Sequence, residues 1–260
     1  MAPSVWLVVP CYNEEFRLPL ERFVDLVSRP DIGLLFVDDG SSDRTNETLT
    51  AFSRRFPGRV EVLSLPGNRG KGEAVRAGLL RALRDDPRIV GYVDADLSTP
   101  PDEILRLLRL VEEGPALAVF GSRVRLLGTH IHRKAARHYA GRLFATAASL
   151  ALGLPVYDTQ CGAKVFRNVP ALARAVSASF LSRWAFDVEL IGRLLAPDRE
   201  PRLRIEDIVE VPLRSWTDVG GSKLSLWQIL VSAGDIVRIA LQLRRGRARR
   251  VQSAVTSGPQ

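Results

Sequence analysis

The sequence predicts an α/β fold in which a mostly parallel central sheet is flanked by helices. Three observations carry that expectation. Short apolar runs alternate with helix-length amphipathic segments through the first half of the chain, which is the pattern of strand–helix units in a parallel sheet. Hydrophobic residues make up 46% of the 260 positions and charged residues 25%, enough apolar side chain for one sizeable core. No internal repeat and no domain-splitting linker interrupts the alternation.

Taken in order, the first strand is expected at 4–9, through Val5-Trp6-Leu7-Val8-Val9, and Pro10 stops it. A helix follows at 18–28 and a second strand at 33–38. Gly40 permits a tight turn there, and Ser42 or Asp43 can cap the helix expected at 43–55. A third strand at 60–64 leads through Gly67-Asn68-Arg69-Gly70-Lys71-Gly72 into a helix at 71–84. The fourth strand, 89–93, runs into Asp94, and Thr99-Pro100-Pro101-Asp102-Glu103 marks the start of a helix at 102–113. A fifth strand is expected at 116–121, a buried helix at 143–156, and a strand at 203–213. From 224 to 243 the polar positions fall roughly on one helical face, and five arginines follow within 244–250. These features divide the chain into a domain at 1–223, an amphipathic helix at 224–243 and a basic, unstructured tail at 244–260.

The bulk numbers narrow the partners. Lysine and arginine total 37 against 29 acidic residues, an excess that suits a polyanionic ligand or an anionic membrane surface. Aromatic residues are only 7% and no nucleic-acid motif occurs, so a nucleic-acid partner is not expected. Two cysteines, Cys11 and Cys161, imply no disulfide framework and favour a reducing compartment. No secretory leader and no apolar run of ~18 residues is present, so no membrane-spanning helix is expected. An amphipathic helix that ends in arginines can instead lie on an anionic bilayer, or dock on the core with an unstructured tail.

In such a sheet, ligands bind outside the carboxyl ends of the strands, so the residues after each strand are the candidates. Asp94 and Asp96 are two apart, and in an extended segment they point the same way. They either cap the next helix or hold a hard divalent cation, and Mg²⁺ brings phosphate oxygens with it. After strand one, Tyr12 can stack on a flat ring while Asn13 and Glu14 hydrogen-bond to one, or the segment is an ordinary turn. After strand two, Asp38, Asp39 and Asp43 exceed what capping needs, and a carboxylate here can bind a base or a ribose hydroxyl. The glycine-rich turn before Lys71 lacks Walker spacing but can cradle a nucleotide at a helix N-terminus. Arg123, Arg133 and Arg137 form a cluster suited to a second phosphate, or else a solvated basic face. His130 and His132 lack the further ligands of a metal site. Asp187 and Glu189 are about 200° apart on a helix, so one is expected to face the site and the other solvent or a structural partner.

Six segments occur in a fixed order: Val9-Pro-Cys-Tyr-Asn-Glu-Glu15, Val37-Asp-Asp-Gly-Ser-Ser-Asp43, Asn68-Arg-Gly-Lys-Gly72, Asp94-Ala-Asp96, Gly121-Ser-Arg123 and Asp158-Thr-Gln-Cys-Gly-Ala-Lys164. Together they resemble the GT-A fold family 2 glycosyltransferases over residues 4 to 225. More narrowly, they are similar to the polyprenyl-phosphate sugar transferases, and closer to the dolichyl-phosphate glucose type than to the mannose type. The resemblance implies an inverting, metal-dependent hexosyltransferase that takes UDP-glucose, or GDP-mannose, to a polyprenyl or dolichyl phosphate. It implies that Pro10, Tyr12, Glu14, Asp39 and Lys71 line the nucleotide pocket and that Asp94 and Asp96 hold Mg²⁺ or Mn²⁺ against the diphosphate. Arg123 and Arg137 would grip the acceptor phosphate, and Gln160 and Asp187 would face the donor sugar or the acceptor. Asp187 would be the base if the acceptor were a hydroxyl. The synthases often carry a further metal-contacting Gln where this chain has Ser98. Eukaryotic members commonly carry a membrane-spanning segment that this sequence does not show, so either the protein is cytoplasmic and peripheral at the inner face of a membrane, which is the expectation here, or its acceptor is not a membrane lipid.

Overall fold

The computed structural model describes residues 2–132, 135–196, 198–219 and 234–243, without the side chains of 132 and 135–143. In chain order the elements are β1 (Val5–Cys11), α1 (Leu20–Val27), β2 (Ile32–Asp38), α2 (Thr45–Ser53), β3 (Val60–Ser64), α3 (Lys71–Leu83), β4 (Ile89–Val93), α4 (Pro101–Glu113) and β5 (Ala118–Ser122). They continue with β6 (His130–His132), α5 (Ala135–Leu152), β7 (Ala163–Arg167), α6 (Pro170–Val176), α7 (Phe186–Leu195), β8 (Ile208–Pro212) and β9 (Ser215–Thr217). Residues 234–243 are also helical.

Seven strands form one sheet in the order β3-β2-β1-β4-β7-β5-β8. Every neighbouring pair runs parallel except the two that involve β7, which lies antiparallel between β4 and β5. The period of two along each strand builds a core on each face. Val5, Leu7 and Val9 of β1, with Ile32, Leu34 and Phe36 of β2, pack against Phe23, Leu49, Phe52 and Leu107 of α1, α2 and α4. Trp6, Val8, Leu35 and Val37 point the other way, onto Val75 and Leu79 of α3 and the apolar sides of α6 and α7. Both faces are covered, which is why these strands read as continuous apolar runs. Phe36 anchors the first core edge-on to Phe23 at 5.1 Å and to Phe52 at 5.9 Å. On the second face α3 rests directly on β1, since a Cβ at Gly78 would meet Val8 Cγ1 at 2.3 Å.

The five amino-terminal strands and the helices between them fall within two residues of expectation. Further along, the departures have physical causes. The buried helix begins earlier than 143, at Ala135, and the strand expected at 203–213 is shortened by a 3-10 turn at Ile205–Asp207. The helix 234–243 docks on the protein core. Ile236 and Ile239 are buried in the second cluster, Ser182 Oγ donates to Asp235 Oδ2 at 2.6 Å, and Leu243 packs on Gly192. Its opposite side leaves Val237, Arg238 and Leu241 exposed. The expected basic tail, 244–260, and all of 224–233 lie outside the described residues.

β1 pairs with β2 on one side and with β4 on the other. The winding reverses between them, and the crevice outside their carboxyl ends is where this architecture binds ligands. The antiparallel course of β7 sends its entry loop, 158–162, to that same edge.

Candidate active site

At the carboxyl end of β4 the chain turns instead of staying extended, with Leu97 N–H donating to the Asp94 carbonyl at 3.1 Å and Leu97 at φ 47°. Asp94 and Asp96 therefore do not act as an equivalent pair. Asp94 Oδ1 accepts from Lys71 Nζ at 2.5 Å. Its N–H donates to the Gly162 carbonyl at 3.0 Å, and its Oδ2 lies so close over Gly162 that a Cβ there would stand 1.8 Å away. Burial pushes the Asp94 carboxyl up, but the Lys71 ammonium, helped by Arg123 and Lys164, holds it below its ordinary value. Burial also opposes the charge on Lys71, yet Asp94, Asp187 and Asp96 together raise it. Among the described residues Asp96 has no cation of its own at hydrogen-bond range: burial, then the charge of Asp94, push its carboxyl up. The Ser98 N–H at 2.9 Å and the Ser98 hydroxyl support it.

Among the described residues no group of three or more His, Cys, Asp or Glu could hold a metal ion. The donor chemistry still fits a hard cation that brings its own oxygens. Asp96 offers a carboxylate whose ionised form is penalised by a like charge, and a divalent ion with diphosphate oxygens relieves that penalty. Ser98 stands where the resemblance places a ligand, but it is 5% exposed and buttresses Asp96. Gly162→Ala would displace the Asp94 carboxylate, and we expect affinity for Mn²⁺ to fall about 10- to 100-fold, as for other residues that orient a ligand. Titration with Mn²⁺ reads this, and unchanged affinity in the folded variant contradicts it.

The loops after β1 and β2 knit together beside this corner. Asn13, at φ 51°, accepts the Ser42 N–H at 2.8 Å, and its own N–H donates to Ser41 Oγ at 2.9 Å. Asp43 Oδ1 accepts the Thr45 N–H and hydroxyl, and Thr45 Oγ1 in turn accepts the Glu14 N–H. Asp38 accepts from Ser41 N–H and Asn46 Nδ2. Asn13, Asp38 and Asp43 thus frame the edge. Asp39 is 2% exposed, and its two oxygens accept the N–H groups of Arg69 at 2.8 Å and Gly70 at 2.7 Å. Burial raises its carboxyl despite those bonds. The amides of the glycine-rich turn are therefore engaged by Asp39, and the turn presents Lys71 to the site instead of an open amide cradle. Pro10, Tyr12 and Glu14 are partly buried along the same edge, with Glu14 3.6 Å from Arg17.

Across the crevice, Arg123 follows β5 directly. Its Nε and Nη2 grip both oxygens of Asp158, each at 2.7 Å, and its N–H donates to Asp158 Oδ2 at 3.0 Å. The guanidinium also lies 5.4 Å from the Trp216 ring. The pair is largely buried, and Arg123 holds the Asp158 carboxyl far below its ordinary 3.8 against the effect of burial. A carboxyl lowered on folding gives stability above its unfolded value that is lost as pH falls. Between about pH 5 and pH 3 the thermal midpoint is expected to drop more steeply in the native protein than in Asp158→Asn. Equal slopes would contradict this assignment. Asp158 Oδ1 also accepts the Gln160 N–H at 3.1 Å, while Gln160 Nε2 is buried without a partner among the described residues.

Asp187 departs from its expected place. It is 3% exposed, with Oδ1 accepting from Lys164 Nζ at 2.6 Å and from the Tyr92 hydroxyl. A carboxylate enclosed by an ammonium and a phenol is poorly placed to take a proton from a bound hydroxyl. Glu189 faces a structural partner, buried against Arg193 and accepting the Leu181 N–H. Arg137 sits in the first turns of α5, its side chain outside the described residues, and Arg133 lies wholly outside them. His130 and His132 belong to β6, which pairs with β9. The site contains Gly162, Asp158 and Lys164, to which sequence reasoning gave no role although all three stand in one of the six quoted segments.

Residues 6–171 match the family described as Glycosyl transferase family 2. The chain is 32% identical over 253 residues to a dolichyl-phosphate beta-glucosyltransferase of Trichomonas vaginalis, covering 92% of this chain and 71% of the relative. It is 30% identical to the human dolichyl-phosphate beta-glucosyltransferase, covering 96% and 82%, and 29% identical to a polyprenol monophosphomannose synthase of Mycolicibacterium smegmatis, covering 94% and 90%. In fold it is similar to glucosyl-3-phosphoglycerate synthase of Mycobacterium tuberculosis in complex with UDP, with a TM-score of 0.64 at 21% identity, covering 93% and 80%. Taken with the order of the sheet and the carboxylates at its switch point, these matches establish that the chain belongs to glycosyl transferase family 2.

Proposed function

We propose that the protein moves a hexose, glucose from UDP-glucose in the first instance, onto a polyprenyl or dolichyl phosphate, with inversion at the anomeric carbon. The observation that carries this reading is the shared edge. Lys71–Asp94 and Asp96 sit at the end of β4, and the guanidinium of Arg123, held by Asp158, is near enough to lower the Asp94 carboxyl. The names of the curated relatives support a lipid phosphate as acceptor.

In this reading the loops after β1 and β2, with Pro10, Tyr12, Glu14 and Asp39, receive the base and ribose. Lys71 meets the diphosphate, and Asp96 with Asp94 holds Mg²⁺ or Mn²⁺. The bound ion supplies Lewis-acid stabilisation of the departing nucleoside diphosphate. Lys71 offsets charge that develops on the same group. An acceptor phosphate is already ionised at neutral pH, so it needs positioning and charge compensation rather than a base. Asp158 engages Nε and Nη2 of Arg123, so in this reading Nη1 would meet the acceptor phosphate, with Arg137 as a second partner. The enclosure of Asp187 agrees with a reaction that requires no base.

No helix among the described residues is long and apolar enough to cross a membrane. In this reading residues 1–223 carry the transfer. Val237 and Leu241, Arg238 and the arginines of 244–250 hold the protein peripherally at the cytoplasmic face of a membrane. The deciding experiment combines a panel of nucleotide sugars, Mg²⁺ or Mn²⁺ and polyprenyl phosphate, scoring lipid-linked sugar and free nucleoside diphosphate. Lipid-linked glucose from UDP-glucose is the expected product. Transfer to hydroxyl acceptors alone would overturn the reading.

A further inference from the structure

Beneath the two halves of the site lies a buried polar group that the mechanism above does not use. Lys164, on β7, is 0% exposed. Its Nζ donates to the Thr159 carbonyl at 2.9 Å, the Cys161 carbonyl at 2.6 Å and Asp187 Oδ1 at 2.6 Å. All three ammonium protons are thereby used. The Tyr92 hydroxyl donates to the same Asp187 oxygen, and the Tyr92 and Phe120 rings lie 5.4 and 5.7 Å from Nζ. The three residues come from β4, β7 and the first turn of α7.

A buried lysine is costly unless paired and fully hydrogen-bonded. If packing were its only task, an apolar side chain would serve β7 at least as well. What the ammonium does that an apolar group does not is to fold the segment 159–161 back upon itself by binding two of its carbonyls. That segment is flanked by the two residues on which the site depends. Asp158, on one side, fixes Arg123. Gly162, on the other, takes the Asp94 N–H and lies directly under the Asp94 carboxylate.

We infer that Lys164, with Asp187 and Tyr92, is a positioning group that sets the loop 158–162 and so fixes Asp94 relative to Arg123. The inference rests on the transferase reading above, and it concerns residues that touch neither substrate. Lys164 acts through Gly162 on the donor corner and through Asp158 on the acceptor corner. Asp187 holds the ammonium in place, and Tyr92 holds Asp187. The charge of Lys164 also reaches the site, since it helps to lower both Asp94 and Asp158.

The test is the double variant Lys164→Met/Asp187→Leu, which removes both charges and leaves no unpaired ion. Replacing a buried pair by apolar residues of similar size is often neutral for stability, but the Thr159 and Cys161 carbonyls and the Tyr92 hydroxyl lose their partners, so the variant is expected to fold with a thermal midpoint below that of the native protein. Binding of Mn²⁺ with UDP, measured without acceptor on the full chain, is expected to weaken about 10- to 100-fold. With acceptor present, kcat falls while KM for polyprenyl phosphate rises, because both corners shift. A folded double variant that binds Mn²⁺ with UDP and turns over like the native protein overturns the inference. Should the double variant not fold, Tyr92→Phe serves, because it keeps the ring and removes one bond to Asp187. Weakened Mn²⁺–UDP binding at an unchanged midpoint supports the inference, and native binding overturns it. The binding arm separates the two readings: native protein that binds Mn²⁺ with UDP but transfers nothing to polyprenyl phosphate faults the proposed function alone.

Discussion

Asp96→Asn is expected to lower kcat/KM by about 10³-fold, or ~4 kcal/mol of transition-state stabilisation. The magnitude follows from what Asp96 supplies. It is the carboxylate at the end of β4 with no cation at hydrogen-bond range among the described residues, and burial, then the neighbouring Asp94, penalise its ionised form. Asp94 is already engaged by Lys71 at 2.5 Å. The two variants should therefore respond differently to excess Mn²⁺. On the proposed reading, saturating metal restores part of the rate in Asp96→Asn, which would lose one ligand. It restores little in Asp94→Asn, which would lose both a ligand and the partner that aims Lys71. Rates measured across a Mn²⁺ series decide this. The reverse pattern would exchange the two roles, and native rates in both variants would remove the acid pair from the reaction.

Arg123→Ala is expected to cost stability as well as activity. Its partner Asp158 is largely buried, and removing one member of a buried pair leaves an uncompensated charge, at about 3–5 kcal/mol. At roughly 2–4 °C per kcal/mol for a chain of this size, the thermal midpoint falls by about 10 °C. Exchanging both residues, Arg123→Met with Asp158→Leu, should recover most of the midpoint without recovering transfer. Calorimetry and the transfer assay together separate the two roles. Recovered transfer in the double variant would take Arg123 out of the acceptor site.

The amino-terminal half of the fold could be read from the chain because its strands are buried on both faces and its helices carry start signals such as Pro100-Pro101-Asp102. Strand direction could not be read, because nothing in Ala163-Lys-Val-Phe-Arg167 records which way it lies between its neighbours. The candidate residues after β1, β2, β4 and β5 do gather at one edge, as the rule for such sheets requires. Their pairings were hidden because each is non-local. Asp94 meets Lys71 across α3, Arg123 meets Asp158 across α5, and Asp39 is claimed by the amides of Arg69 and Gly70. Asp187 misled for the same reason. Its position in the first turn of α7 was legible, but the lysine that encloses it comes from a strand of unforeseen direction.

That strand has a consequence for assembly. β7 must enter between β4 and β5, both far upstream, whereas β1 and β2 pair across a single short helix. Closing long loops costs entropy before their contacts form, so the amino-terminal strands are expected to collapse first and β7 to arrive late. A chain diluted out of denaturant should regain weak affinity for UDP ahead of catalytic competence. The lag between them would time the insertion of one strand.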